Sequence, residues 1–349
     1  MSVNKLKGAL TGLRFLLFIM LIFALLMSCR PGIASYTRFR PGSEKGPTQV
    51  NIGIYIIDIS RVDDANQRFS TDFILRLTWN DPRLAFEPDG DSSSPKLLSL
   101  NEIWHPAIGI IQQENLTRHY RDNAEISPSG DVKYAQRYSG NIHFIMDLRD
   151  FPFDDHIMTL SASSYPHDIH EVQLVPDPEI TGLDPELTLT GWEVMSSMYN
   201  SDTSYMAPQN KYRSRFNLEI EVKRRPGFFL MRIVFPLTII VFMSWMVFWI
   251  NPIHLEAQIG VSATALLSLF AFHFSMSELL PRISYLTRMD IFVSGSTLLI
   301  FLAIVETVRT SLLADNGQET RALDIDNFCR VFFPLLYISI AVYSMLVIF

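Results

Sequence analysis

The chain has 349 residues, of which 48% are hydrophobic, a net charge of −7 and two cysteines. The negative charge and the lack of any dense lysine and arginine run argue against nucleic acid as a partner, and the mean hydropathy is +0.18. The average conceals a split. Residues 40–225 are polar and rich in Asp, Pro and Ser, whereas residues 226–349 are mostly apolar, the composition of a soluble unit followed by a membrane unit.

At the N-terminus, Lys5, Lys7 and Arg14 precede an apolar run over 15–27 that is short for a bilayer span. The pattern predicts a signal peptide cleaved after Ala34. Cys29 behind Leu26-Met27-Ser28 offers a lipoprotein-type alternative, and an uncleaved anchor is a third reading. All three export the polar unit. With Cys29 beside the signal and Cys329 in the apolar half, the exported part has no disulfide and must be held by its core.

That part alternates with period two. Phe73, Leu75, Leu77 and Trp79 alternate with polar neighbours, as do Phe216, Leu218, Ile220 and Val222, and the stretches 50–59 and 142–148 also read as strands. Turn signals such as Asn80-Asp81-Pro82 and Pro176-Asp177-Pro178 separate them. The pattern predicts an all-β extracellular immunoglobulin-like sandwich. His167 and His170, near Asp168 and Glu171, stand among Pro and Tyr in what reads as a loop, so no metal site is expected, and no cofactor motif appears.

Four apolar stretches come after the sandwich, over 228–250, 256–279, 290–310 and 331–349, with a polar linker over 311–327. Each is near the ~20 residues needed to span a bilayer, so the second half reads as an all-α four-helix transmembrane domain. The expected organisation is a signal peptide at 1–34, a linker at 35–47, the exported sandwich at 48–225 and the membrane domain at 226–349. Within the second stretch, Glu256, Gly260, Thr264, Leu267, Ala271 and Phe274 are spaced by four, four, three, four and three residues, which puts all six on one helix face. A carboxylate in hydrocarbon costs roughly 2.5 kcal/mol or more, so a lipid-facing role is unsuited to this row. Two readings stand at this point: a helix-packing surface with a terminal Glu reaching the interface, or a water-lined path enclosed by several copies of the helix.

Further residues narrow the choice. Phe151-Pro152-Phe153-Asp154 follows Met146-Asp147-Leu148-Arg149. Trp79 is followed by Asp81-Pro82-Arg83, and Ile103-Trp104-His105-Pro106, Gly191-Trp192, Phe248-Trp249 and Leu280-Pro281-Arg282 come in order after it. This ordered set resembles the pentameric ligand-gated ion channels, in particular their prokaryotic branch, across about residues 48–349. Phe144 and Met158 occupy the positions of the two cysteines that animal members use for a disulfide loop.

The resemblance implies a homopentamer in the cell (inner) membrane, with the N-terminal domain in the periplasm or outside the cell. The second helix of each subunit would line the pore, and a small-molecule agonist would bind between neighbouring sandwiches. A ring of Glu256 would favour monovalent cations. Leu267, Ala271 and Phe274 would form an apolar constriction, and Gly260 would widen the pore locally. His273 and Glu306 read as packed polar residues of the bundle. Asp64, Asp154 and Arg224 would couple sandwich to membrane, with Asp63 or Arg225 as substitutes, and Pro281, Arg282 and Tyr285 would lie in the loop receiving them. Tyr165, Tyr199 and Tyr212 fall at or near the aromatic agonist positions and suggest a small amine held by cation–π attraction. Protons are the rival stimulus, although Gln67 stands where an acid-gated relative has a glutamate. A non-conducting membrane-anchored sensor or adhesin is the remaining alternative. It leaves the stripe and the four spans unexplained.

Overall fold

The computed structural model describes residues 39–44, 46–88, 94–276 and 283–346. The expected signal peptide, Cys29, Pro281 and Arg282 lie outside the described residues.

Alternation builds the sandwich. The strands are β1 (Thr48–Asp63), β2 (Arg68–Asn80), β3 (Lys96–Ser99), β4 (Ile108–Ile110), β5 (Gln113–Arg118), β6 (Asn123–Ile126), β7 (Asp131–His143), β8 (Asp155–Ser164), β9 (Val172–Pro176), β10 (Gly182–Leu183), β11 (Trp192–Met206) and β12 (Lys211–Arg224). One sheet runs β10–β1–β2–β7–β6–β3, with β9 on β1 and β5 on β7; the other runs β11–β12–β8–β4. On β2, Phe69, Phe73, Leu75, Leu77 and Trp79 turn one face into the core. Met158, Leu160 and Ala162 of β8 and Phe216, Leu218, Ile220 and Val222 of β12 meet them from the other sheet. Burying each large apolar side chain contributes about 1.5–3 kcal/mol, and this core joins the sheets without a disulfide among the described residues.

One expected strand is corrected. Over 142–148 only the first two residues belong to β7, and residues 144–154 form an irregular segment. Phe144, Met146 and Leu148 are buried while Ile145 is exposed. One-sided burial therefore produces a strand-like alternation where no ladder forms. Phe151 of this segment packs on Phe229 of the membrane domain, ring centroids 4.7 Å apart.

Four helices, α1 (Gly227–Trp249), α2 (Leu255–Met276), α3 (Arg288–Asp315) and α4 (Glu319–Leu346), are long and apolar enough to cross a membrane. The 22 residues of α2 extend about 33 Å at 1.5 Å each, enough for a hydrocarbon core of ~30 Å. α1 carries a π-type turn over Leu230–Val234, just ahead of Pro236. Proline lacks the N–H of a helical ladder, and a widened turn absorbs the mismatch. α3 opens on a capping box: the Asp290 N–H donates to Thr287 Oγ1 at 3.1 Å, and the Thr287 N–H donates to Asp290 Oδ2 at 2.9 Å.

The expected linker over 311–327 is also corrected, since residues 316–318 alone separate α3 from α4. Hydropathy marks where lipid ends, whereas both helices continue through polar residues beyond it. α3 and α4 approach closely at Gly295, where an added Cβ would stand 2.7 Å from Ile340 Cγ2.

Candidate functional site

α2 has two unlike sides. Gln258, Ser262, Ala265, Leu269 and Met276 are buried against the rest of the protomer. Their first member is tied down: Gln258 Nε2 donates to Ile250 O at 3.0 Å, and its Oε1 accepts from Ser311 Oγ at 2.6 Å. Glu256, Gly260, Thr264, Leu267, Ala271 and Phe274 are all exposed, Leu267 at 71% and Phe274 at 82%. At about 100° per residue, the two rows lie roughly half a turn apart. No atom comes within 4 Å of a Cβ placed on Gly260, and the Thr264 hydroxyl satisfies itself on Gly260 O at 2.8 Å. The stripe therefore faces away from α1, α3 and α4. Beside it, His273 shares a hydrogen bond with Thr297 of α3 at 3.1 Å, and Glu306 pairs with Arg309 at 3.4 Å.

At the junction of the sandwich and the membrane helices, Arg224 closes β12 three residues before α1. Its Nε and Nη2 donate to Asp154 Oδ1 and Oδ2 at 2.7 and 3.0 Å, and its Nη1 to Asp64 Oδ2 at 2.7 Å. This is a bidentate pair extended to a second carboxylate. The guanidinium also lies 4.0 Å from the Trp192 ring centroid and 4.9 Å from that of Phe151, so aromatic faces complete its shell. Asp63 and Arg225 do not substitute: Asp63 binds Arg68 and the Asn66 N–H, and Arg225 lies 3.8 Å from Glu193. His156 Nε2 stands 2.7 Å from Asp154 Oδ2. Burial opposes ionisation of Asp154, but the hydrogen bonds from His156 and Arg224 outweigh it and hold the carboxyl below its ordinary 3.8.

The three tyrosines expected near the agonist do not lie on one face. Strand pairing sets Tyr199 against Leu218 and Tyr205 against Tyr212, so Tyr199 and Tyr212 share the face of β11 and β12 that carries the core residues. Tyr165 is on the opposite face. It follows Ser163, the partner of Arg215, and its ring meets the guanidinium of Arg213 at 4.9 Å.

Comparison with known proteins agrees with this layout. Residues 33–226 match the family model described as the neurotransmitter-gated ion-channel ligand binding domain, and residues 233–321 match that of the transmembrane region. The chain belongs to the neurotransmitter-gated ion-channel family. It is 27% identical over 292 residues to a proton-gated ion channel of Gloeobacter violaceus, covering 84% of this chain and 81% of that one. It is also 27% identical over 302 residues to the γ-aminobutyric acid receptor subunit γ-1 of Mus musculus, covering 83% of this chain and 64% of the subunit. The β-4 subunit of Gallus gallus is 25% identical over 286 residues, and the chain spans 56% of its length. The protein is a membrane-embedded ligand-gated ion channel of the prokaryotic pentameric type, with its four helices following the extracellular domain.

Several contacts in this channel escape sequence reasoning. The segment 144–154 sits on the membrane helices: the Leu148 N–H donates to the Tyr285 hydroxyl at 3.0 Å, the Arg288 N–H donates to Arg149 O at 2.9 Å, and the Arg288 side chain pairs with Asp150 at 2.6 Å. Tyr285 was expected in this region; Asp150, His156 and Arg288 were not. For His156 a signal existed, since it stands two residues after Asp154 and hence on the same face of the chain.

Proposed function

We propose that the channel is a homopentamer that passes monovalent cations when a small molecule binds between adjacent sandwiches. The observation that carries this reading is the α2 stripe. It begins with a carboxylate, passes through Gly260 and Thr264 to Leu267, Ala271 and Phe274, and lies opposite the face that packs within the protomer. Five such stripes around an axis make a wetted acidic mouth and an apolar constriction. The acidic ring concentrates cations and repels anions, and the constriction closes by shedding water. Asp64, Asp154 and Arg224 would form the mechanical link between pocket and pore, since Arg224 is continuous through the backbone with α1. The bound molecule then acts by favouring one arrangement of this link over another.

Reversal potentials in a salt gradient test the selectivity. Purified protein in a planar bilayer should reverse near the cation equilibrium potential, and Glu256→Gln should move the reversal toward zero or lower the conductance. An anion-selective parent would refute the role given to Glu256.

A further inference from the structure

We propose that the agonist is a small carboxylate, bound by Arg213 at the tip of the β11–β12 hairpin; this rests on the reading of that edge of the sandwich as the agonist pocket.

Arg213 is 2% exposed. Its Nε and Nη1 have no hydrogen-bond partner, and it enters no ion pair among the described residues. Burying a guanidinium without an anion is costly, and each unpaired donor adds to the cost. Its neighbours on the same strand show what is missing. Arg215 is held by Asp202, with Nε to Oδ1 at 2.8 Å, and Arg224 grips Asp154 with both arms of its fork. Of these three β12 arginines, Arg213 alone lacks its carboxylate.

The remaining nitrogen shows how a ligand would enter. Arg213 Nη2 donates to the side-chain oxygen of Gln209, which ends the short turn Ala207–Gln209 at the hairpin tip. Guanidinium offers two forks to a planar anion, Nε with Nη2 and Nη1 with Nη2. Gln209 occupies the nitrogen common to both. Its neutral amide oxygen stands where a carboxylate oxygen would bind, and moving the tip away exposes a complete fork above Tyr165. The amine expected from the tyrosines fits less well. The Tyr165 face already carries a guanidinium at 4.9 Å, so a second cation there meets repulsion and an anion meets attraction. A zwitterionic amino acid would bind with its carboxylate toward Arg213.

The test uses full-length protein reconstituted in a planar bilayer at fixed pH, with butyrate, γ-aminobutyrate and butylamine as probes, and thermal shift of the same detergent-purified protein as a second readout. Butyrate or γ-aminobutyrate should open the channel or raise its melting temperature, and butylamine should do neither. Arg213→Lys keeps the charge but loses the fork, and should weaken carboxylate action about tenfold to a hundredfold. Gln209→Ala lies at the exposed tip, away from the core. It should strengthen carboxylate action several-fold, and an unchanged or weakened carboxylate response would count against the inference. Opening by butylamine with an unshifted Arg213→Lys curve would overturn the inference while leaving the channel reading intact. Carboxylate-dependent thermal stabilisation lost in Arg213→Lys, with no current under any probe, would support the inference and count against the channel reading. Carboxylates without effect in both readouts would overturn the inference.

Discussion

Replacing Arg224 by alanine takes away the one cation that two carboxylates share. Arg224 is 5% exposed and Asp154 2%, and three short hydrogen bonds join it to Asp154 and Asp64. Removing one partner of a buried pair costs about 3–5 kcal/mol, because the remaining charge stays behind. Asp154→Asn preserves shape but loses the charge, and should cost about 1–3 kcal/mol. Asp64 is more open, with 21% of its side chain accessible, and Asp64→Asn should cost about 1 kcal/mol or less after solvent screening. The expected order of damage is therefore Arg224→Ala, then Asp154→Asn, then Asp64→Asn. Trp192 lies 4.0 Å from the guanidinium, so tryptophan fluorescence during thermal unfolding reports on the site, and agonist dose–response curves report on coupling. The depressed Asp154 carboxyl adds a pH dependence. Its stability contribution is full above the unfolded value near 3.8 and is lost as pH falls through the lower native value. The parent should therefore lose stability in strong acid along a limb that Asp154→Asn lacks. If Arg224→Ala melts like the parent, or Asp64→Asn costs as much as Arg224→Ala, the shared-cation account is wrong.

Two further outcomes are expected. Leu267→Thr puts a hydroxyl on the exposed α2 stripe and lowers the cost of wetting a closed constriction. Its dose–response midpoint should move to lower agonist concentration at equal surface expression, whereas an unshifted midpoint with reduced yield would assign Leu267 to packing. Gly295→Ala forces a Cβ to within 2.7 Å of Ile340 Cγ2 and should destabilise the α3–α4 contact by about 1–3 kcal/mol. Adding Ile340→Ala should restore much of the loss, and thermal melting in detergent measures both.

The sandwich was legible because Phe73 to Trp79 and Phe216 to Val222 alternate without interruption. The contact of Asp64 and Asp154 with Arg224 was legible through the resemblance, which matches Phe151-Pro152-Phe153-Asp154 and the arginine ending the last strand. The false strand over 142–148 shows that alternation reports burial and not pairing. The ends of α3 and α4 were misplaced because a helix outlasts its apolar stretch. At the hairpin edge the three expected tyrosines fall on two faces. Phe216, Leu218 and Ile220 fix the parity of β12: even positions turn to the core face, so Tyr212 belongs with them and Arg213 stands opposite, beside Tyr165. Adjacent residues on a strand point to opposite faces, and that parity is legible in the sequence. Arg288 depends on tertiary contacts to Arg149 and Asp150 that no local pattern announces.

The two ends of α2 are held unequally. Far from the sandwich, Gln258 is buried and bonded both to the end of α1 and to α3. Near the sandwich, the polar contact to α3 is the exposed His273–Thr297 pair at 3.1 Å. A rod pinned at its foot leans from that foot. Phe274 lies sixteen residues after Gln258, about 24 Å along the helix, so a lean of about 5° carries Phe274 sideways by about 2 Å and leaves Glu256 nearly where it was. Such a lever separates two tasks along one helix. The Glu256 carboxylate stays close to the hinge, while the apolar Phe274 at the far end travels farthest.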